Sequence, residues 1–104
     1  MSVARAAGLA LLLAPACAAN ADEELGRKVF TQVAQPPCAL CHTLEAAGAA
    51  GTIGPSLDEL KPDRARVLAV VRTGIGPMPP YDGKLTAEQI EAVAAFIAKA
   101  TGAQ

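Results

Sequence analysis

The chain has 104 residues, a formal charge of −1, 52% hydrophobic side chains and only 3% aromatic ones, which leaves room for one small domain and not two. A near-neutral charge lacks the basic field that a nucleic-acid backbone selects, and a charged fraction of 18% is too low for a self-repelling disordered tail. No nucleic-acid partner is expected.

The hydrophobic residues are unevenly placed, with 16 of them in the first 21 positions. There Arg5 precedes the apolar run Ala6 to Ala16, and Ala19-Asn20-Ala21 follows it. A cationic start, a short apolar middle and a small-x-small exit form a secretory signal pattern. Residues 1–21 are therefore expected to be a cleaved signal peptide and residues 22–104 the mature domain, delivered to the periplasm. The run is short for a spanning helix, which needs about 20 apolar residues, and Pro15 interrupts it. Two other fates stay open, a retained anchor and a lipoprotein modified at Cys17. Against the second, Ala14 stands where lipoprotein signals usually carry a branched aliphatic residue.

The mature part carries 8 basic, 10 acidic and 38 apolar residues, and 15 of the apolar ones are alanine and 2 cysteine. The 21 larger apolar side chains make a thin core for 83 residues, and domains this small usually need a staple, a metal or a cofactor.

From Asp22 to about Val33, Leu25, Val29 and Val33 recur at i, i+4 and i+8 with Phe30 beside them, and Glu23 and Glu24 suit a first turn. The spacing predicts an amphipathic N-terminal helix. Pro36-Pro37 then imposes a rigid bend, read first as a well-formed turn. Next comes Cys38-Ala39-Leu40-Cys41-His42, the C-x-x-C-H signature of c-type haem attachment. Two thiols at that spacing suit thioethers to the two vinyl groups of one porphyrin, and His42, the one histidine of the chain, suits iron. A structural zinc would want about four protein ligands where the mature chain offers three such groups. A thioredoxin-like pair would want a strand leading into the first cysteine, where Val33-Ala34-Gln35-Pro36-Pro37 is broken. A plain disulfide is the remaining alternative.

Pro62 suits the first position of a second helix, with Val67, Leu68, Val70 and Val71 on its apolar side and Thr73-Gly74 at its end. Thr86-Ala87-Glu88-Gln89 resembles a capping box with Leu85 and Ile90 at the staple positions, and Ile90, Val93 and Ile97 continue a third helix to about Ala100. Gly26 and the small residues of 92–95 permit the first and third helices to cross closely, with Phe30 and Phe96 as core. Between the second and third helices, a Gly/Pro-rich loop centres on Met78. A lone methionine is ordinarily core filler. Downstream of C-x-x-C-H, however, the one mature methionine, preset by Pro77 and Pro79, becomes the candidate sixth ligand. An imidazole and a thioether on one iron fill both axial positions and favour the reduced state relative to two imidazoles.

Three segments, Cys38-Ala39-Leu40-Cys41-His42, Thr52-Ile53-Gly54-Pro55-Ser56-Leu57 and Gly74-Ile75-Gly76-Pro77-Met78-Pro79, resemble the haem-contact segments of small bacterial class I cytochromes c, and the resemblance extends over residues 22–104. It implies an all-α class I cytochrome c fold, with three principal helices and Gly/Pro-rich loops around one covalently bound haem. It further implies that the Pro55 carbonyl accepts a proton from the non-ligating nitrogen of His42, that Leu57 presses on the porphyrin, and that Met78 binds iron on the far side. Gly26, Phe30 and Phe96 match the family's helix crossing, and Tyr81 matches, less securely, an aromatic near the propionates.

The expected cofactor set is thus one haem c on Cys38 and Cys41, with His42 and Met78 as the metal ligands and Pro55 and Leu57 as further contacts. The expected work is one-electron transfer between redox proteins: a periplasmic dehydrogenase, an oxidase or another cytochrome. No catalytic residue is expected. Membrane association would come only through partners unless Cys17 is lipidated, and the protein would be a monomer or a heteromeric subunit. Lys61, Arg72 and Lys84 are candidates for the rim of the haem edge, or simply solvated surface. Two alternatives share the haem: an obligate subunit of a dehydrogenase complex, and a peroxidase or small-ligand sensor in which Met78 leaves the iron.

Overall fold

Three helices carry the fold, and the first begins upstream of the position its acidic residues suggest. The computed structural model describes Gly8 and residues 16–103, with side chains from Asp22 onward; most of the expected leader and Gln104 lie outside the described residues. Helix α1 spans Ala16–Lys28. Alanines at 16, 18, 19 and 21 before Asp22, and the good helix formers Glu23, Glu24 and Leu25 after it, keep helix propensity high across that point, so Glu23 and Glu24 fall inside the helix and not in its first turn. Glu23 instead meets Lys99 at 3.1 Å. The helix then widens into a single π turn, Val29–Val33, and bends through residues 34–36. The expected end near Val33 holds, but the last turn is π and not α.

Four residues, Cys38–Cys41, form the one-turn helix α2. A two-stranded antiparallel ribbon follows, β1 (Thr43–Leu44) against β2 (Ala49–Ala50), joined through a 3-10 turn over Glu45–Ala47. Helix α3 is again one turn, Leu57–Leu60; the Ser56 side chain caps it at the start and Lys61 ends it in the left-handed region at φ 47°. Helix α4 runs Arg64–Thr73. Its N-cap is Asp63, whose Oδ1 accepts from the Arg66 amide at 2.8 Å, so Pro62 sits before the cap and not inside the helix. A carboxylate can bond an orphan amide of the first turn, which proline cannot. Gly74 stops the helix at φ 70°, as its position predicts.

Helix α5 runs Ala87–Thr101 behind a complete capping box, with Thr86 Oγ1 accepting from the Gln89 amide and Gln89 Oε1 accepting from the Thr86 amide. It crosses α1 at Gly26, where a Cβ would lie 2.5 Å from both the Ala92 carbonyl oxygen and the Phe96 Cβ. Phe30 and Phe96 meet edge to face at 6.2 Å, and the Arg27 guanidinium stands 5.3 Å from the Phe96 ring centre. Arg64 and Arg72 of α4 both pair with Glu91 of α5. Val29, Phe30, Leu44, Ile90 and Val93 are the largest fully buried side chains. They lie mainly along this α1–α5 crossing and leave the space between α2, α4 and the Met78 loop to be lined rather than filled. Among the described residues no helix is long and apolar enough to cross a membrane.

Candidate functional site

The single turn of α2 decides how the cysteine motif presents itself. Residues three and four apart on a helix share a face, so Cys38, Cys41 and His42 fall on one side, with the His42 amide closing the turn on the Cys38 carbonyl at 3.0 Å. Leu40, between them, is 57% exposed. Cys38 and Cys41 are not bonded to each other, and among the described residues no group of three or more His, Cys, Asp or Glu side chains is placed to share a metal ion. The arrangement therefore offers thiols and imidazole side by side along a wall, and not the convergent set of a structural zinc.

The loop after β2 folds back over this turn. Gly51 lies so close that a Cβ would meet the Leu40 carbonyl oxygen at 2.5 Å, and Gly54 so close that a Cβ would meet His42 Cε1 at 2.6 Å. The Gly54 amide donates to the Cys41 carbonyl at 2.7 Å. This close approach carries Pro55 over the imidazole, and His42 Nδ1 lies 2.8 Å from the Pro55 carbonyl oxygen. A carbonyl only accepts, so Nδ1 carries the proton and Nε2 keeps its lone pair for a ligand.

Met78 is held from the other end of the chain. Ile75 and Met78 exchange two backbone hydrogen bonds, of 2.9 and 3.1 Å, around Gly76-Pro77, and Gly76 takes φ 53°. Gly74 permits the loop to close, because a Cβ there would lie 2.6 Å from the Met78 carbonyl oxygen. Downstream, the Tyr81 amide donates to Val71 at 2.8 Å, which ties the loop to α4.

These segments enclose one cavity of about 390 Å³, lined by Cys38, Cys41, His42, Pro55, Leu57 and Met78 together. The rest of its wall is apolar, from Phe30, Ile53, Val67, Val70, Val71 and Ile97 among others, apart from Arg66 and Tyr81. The volume falls in the range of about 300–1,000 Å³ usual for cofactor pockets. Its donor set of imidazole, thioether and two thiols suits iron in a porphyrin far better than a hard cation. Haem c therefore fits the residues present. Burial pushes the Cys38 thiol up to about 11 and the Tyr81 phenol up to about 12, so both groups are protonated at neutral pH. The Tyr81 hydroxyl is committed to the Pro36 carbonyl at 2.6 Å.

A family model described as cytochrome c oxidase, cbb3-type, subunit III matches residues 21–97. The chain belongs to this family of c-type cytochromes. Among solved structures, the cytochrome is similar to the c-type cytochrome SorU of Sinorhizobium meliloti, at 51% identity with a TM-score of 0.76, over 80% of this chain and 94% of that one. The comparison with curated proteins returned no match. The fold is that of a small class I cytochrome c, and such a protein binds haem c covalently and transfers electrons through it to redox partners.

All six residues expected from the sequence at the haem site line the cavity of the cytochrome. Two further residues of the site carry no signal in the sequence: Gly51, whose small size lets the loop cross α2, and Arg66, which reads as one more exposed cation of a helix. Of the three proposed rim cations, Arg72 turns to Glu91 at 3.8 Å, and Lys61 serves as the left-handed cap of α3.

Proposed function

We propose that the protein is a periplasmic one-electron carrier in which Cys38 and Cys41 hold one haem c and His42 and Met78 ligate its iron. One observation carries the assignment: the two thiols, the imidazole, with Nδ1 bonded to the Pro55 carbonyl at 2.8 Å, and the Met78 thioether all face one apolar cavity. Bound haem supplies a reversible single electron at iron. Cys38 and Cys41 would hold the haem through thioether bonds to its two vinyl groups, with no atom lost in the addition. The Pro55 carbonyl fixes the imidazole plane and the tautomer that leaves Nε2 free to ligate. The hydrogen-bonded turn around Gly76-Pro77 and the link from Tyr81 to Val71 hold Met78 in place through the redox change. Leu57, 8% exposed, keeps water from the pocket, and no side chain needs to react chemically during turnover.

The N-terminal signal pattern supports export, with cleavage after Ala21 removing Ala16 to Ala21 from α1. Donor and acceptor are then redox proteins met at an exposed haem edge, such as a dehydrogenase and an oxidase or second cytochrome, and not a small-molecule substrate. The test is expression in cells competent for cytochrome c maturation, followed by intact mass and absorption spectra of both redox states. A mass equal to the chain from Asp22 plus one haem, with a methionine-to-iron charge-transfer band in the ferric form, is expected; a mass without haem overturns the assignment.

A further inference from the structure

Arg66 is the one charged side chain of the cavity wall, which contains no Asp, Glu or Lys. Of the other titratable groups there, Cys38, Cys41 and His42 are used in holding haem and Tyr81 is bonded to Pro36. On α4, Arg64 and Arg72 turn to Glu91. Arg66 lies about 160° round the helix from Arg64 and about 40° from Val70, also a cavity residue. Among the described residues no carboxylate lies within ion-pair distance of its guanidinium, and the Asp63 carboxylate beside it is engaged by the Arg66 backbone amide. An exposed, unpaired guanidinium fork thus stands at the edge of an otherwise apolar pocket.

The occupant proposed above carries two carboxylates, its propionates, and a carboxylate laid against apolar wall is costly unless paired. A guanidinium matches it with two parallel hydrogen bonds. Resting on the haem assignment, we infer that Arg66 pairs with a haem propionate and so orients the haem in the cavity and favours its reduced state. It is a positioning residue for the haem edge rather than a ligand, and its positive charge opposes the extra charge of ferric iron.

The experiment uses the mature holoprotein with Arg66→Gln and Arg66→Lys, and with Arg64→Gln and Arg72→Gln as controls that remove the same charge from the opposite side of α4. In Arg66→Gln the equilibrium constant for reduction is expected to fall about three- to tenfold, more than in either control, and the propionate bending mode in resonance Raman spectra to shift. Arg66→Lys keeps the charge but not the fork, so the bending mode shifts while most of the potential is retained. A propionate mode that stays at its wild-type position in both Arg66 variants overturns the inference, whatever the potentials do. Failure of the haem assignment would look different: wild type itself would lack the haem mass or the methionine band.

Discussion

The Tyr81 hydroxyl donates to the Pro36 carbonyl oxygen at 2.6 Å and thereby joins the two halves of the haem site. Tyr81 stands three residues after Met78, and Pro36 two before Cys38, so one hydrogen bond spans from the methionine loop to the cysteine turn across 45 positions of sequence. The ring is 3% exposed and forms part of the cavity wall. Tyr81→Phe keeps the packing and removes the bond. The expected cost is about 1–2 kcal/mol of unfolding free energy, read from denaturant titration of the holoprotein. The methionine-to-iron band should also disappear at lower denaturant than the haem absorbance itself, because the loop is released first. An unchanged midpoint would mean that water replaces the bond at no cost.

The same phenol makes the fold sensitive to alkali. Burial chiefly raises Tyr81 from 10.0 to about 12, with the negative charge of Cys38 and then Cys41 thiolates adding to it. Alkylated sulfurs carry no charge, so in the holoprotein burial alone sustains the upward shift. A folded-state value above the unfolded one means that the stabilisation is fully present below pH 10 and is lost as pH rises through the raised folded-state value. Tyr81 is the one tyrosine of the chain, so its ring resonances in NMR spectra report the titration without ambiguity. Titration at the ordinary value, with stability flat above pH 10, would contradict the buried, bonded phenol.

The features that local chemistry dictates were readable in advance. The Thr86 capping box, the Gly74 stop, and the crossing of Phe30 with Phe96 each depend on a few adjacent or periodic residues, and each stands where the spacing puts it. The one-turn helices α2 and α3 escaped because four residues hold too little periodicity to register. They form because tertiary packing, and not propensity, closes them. The helix starts two positions after Pro62, at Arg64, because a proline compatible with a helix start lies beside Asp63, which is the better cap. At the site, the ligating residue types and their order were legible in the sequence, whereas the approach of Gly51 and Gly54 to α2 was not, since a glycine shows its purpose only once its neighbour is in place. Arg66 is silent in the sequence for the same reason: its significance lies in which face of α4 it occupies and in its lack of an acidic partner among the described residues.

Removal of the thioether separates attachment from ligation. Met78→Ala should retain covalent haem, since neither cysteine nor His42 changes, but lose the methionine-to-iron band and bind imidazole or cyanide at the opened position. The midpoint potential should fall, because the thioether favours ferrous iron. Persistence of the band in the variant would assign the sixth position to another group.

Gly54 and Gly48 form an internal comparison of clash against strain. At Gly54 a Cβ would lie 2.6 Å from His42 Cε1 and 2.9 Å from Nδ1, while at Gly48 nothing lies within 4 Å and only the φ of +63° opposes a side chain. Gly48→Ala is expected to cost about 1–2 kcal/mol through backbone conformation alone, with an unaltered haem spectrum. Gly54→Ala must push the imidazole aside or break the bond to Pro55, and overpacking of this kind costs about 1–3 kcal/mol. Its distinguishing mark is spectroscopic: rotation of the imidazole changes the hyperfine-shifted haem methyl resonances of the ferric protein. Similar methyl shifts in both variants would show that Gly54 only shapes the loop.

Gly26 sets two opposing effects against each other within one substitution. Alanine in a helix interior is favoured over glycine by about 1 kcal/mol, so Gly26→Ala would stabilise an exposed helix. Here the new methyl would stand 2.5 Å from the Ala92 carbonyl oxygen and 2.5 Å from the Phe96 Cβ. Both belong to the body of α5 and not to the end of a flexible side chain, so α1 and α5 have to separate. Separation withdraws Phe96 from Phe30 and loosens the Arg27 contact with the Phe96 ring. The clash outweighs the gain in propensity, and a net loss of about 1–3 kcal/mol is expected, measured as a lower thermal midpoint of the holoprotein. The axial spectrum should stay intact at low temperature, because the crossing lies on the core side of the fold and holds neither iron ligand. A higher midpoint for Gly26→Ala would show that the two helices yield at this crossing, and that glycine is not required for their approach.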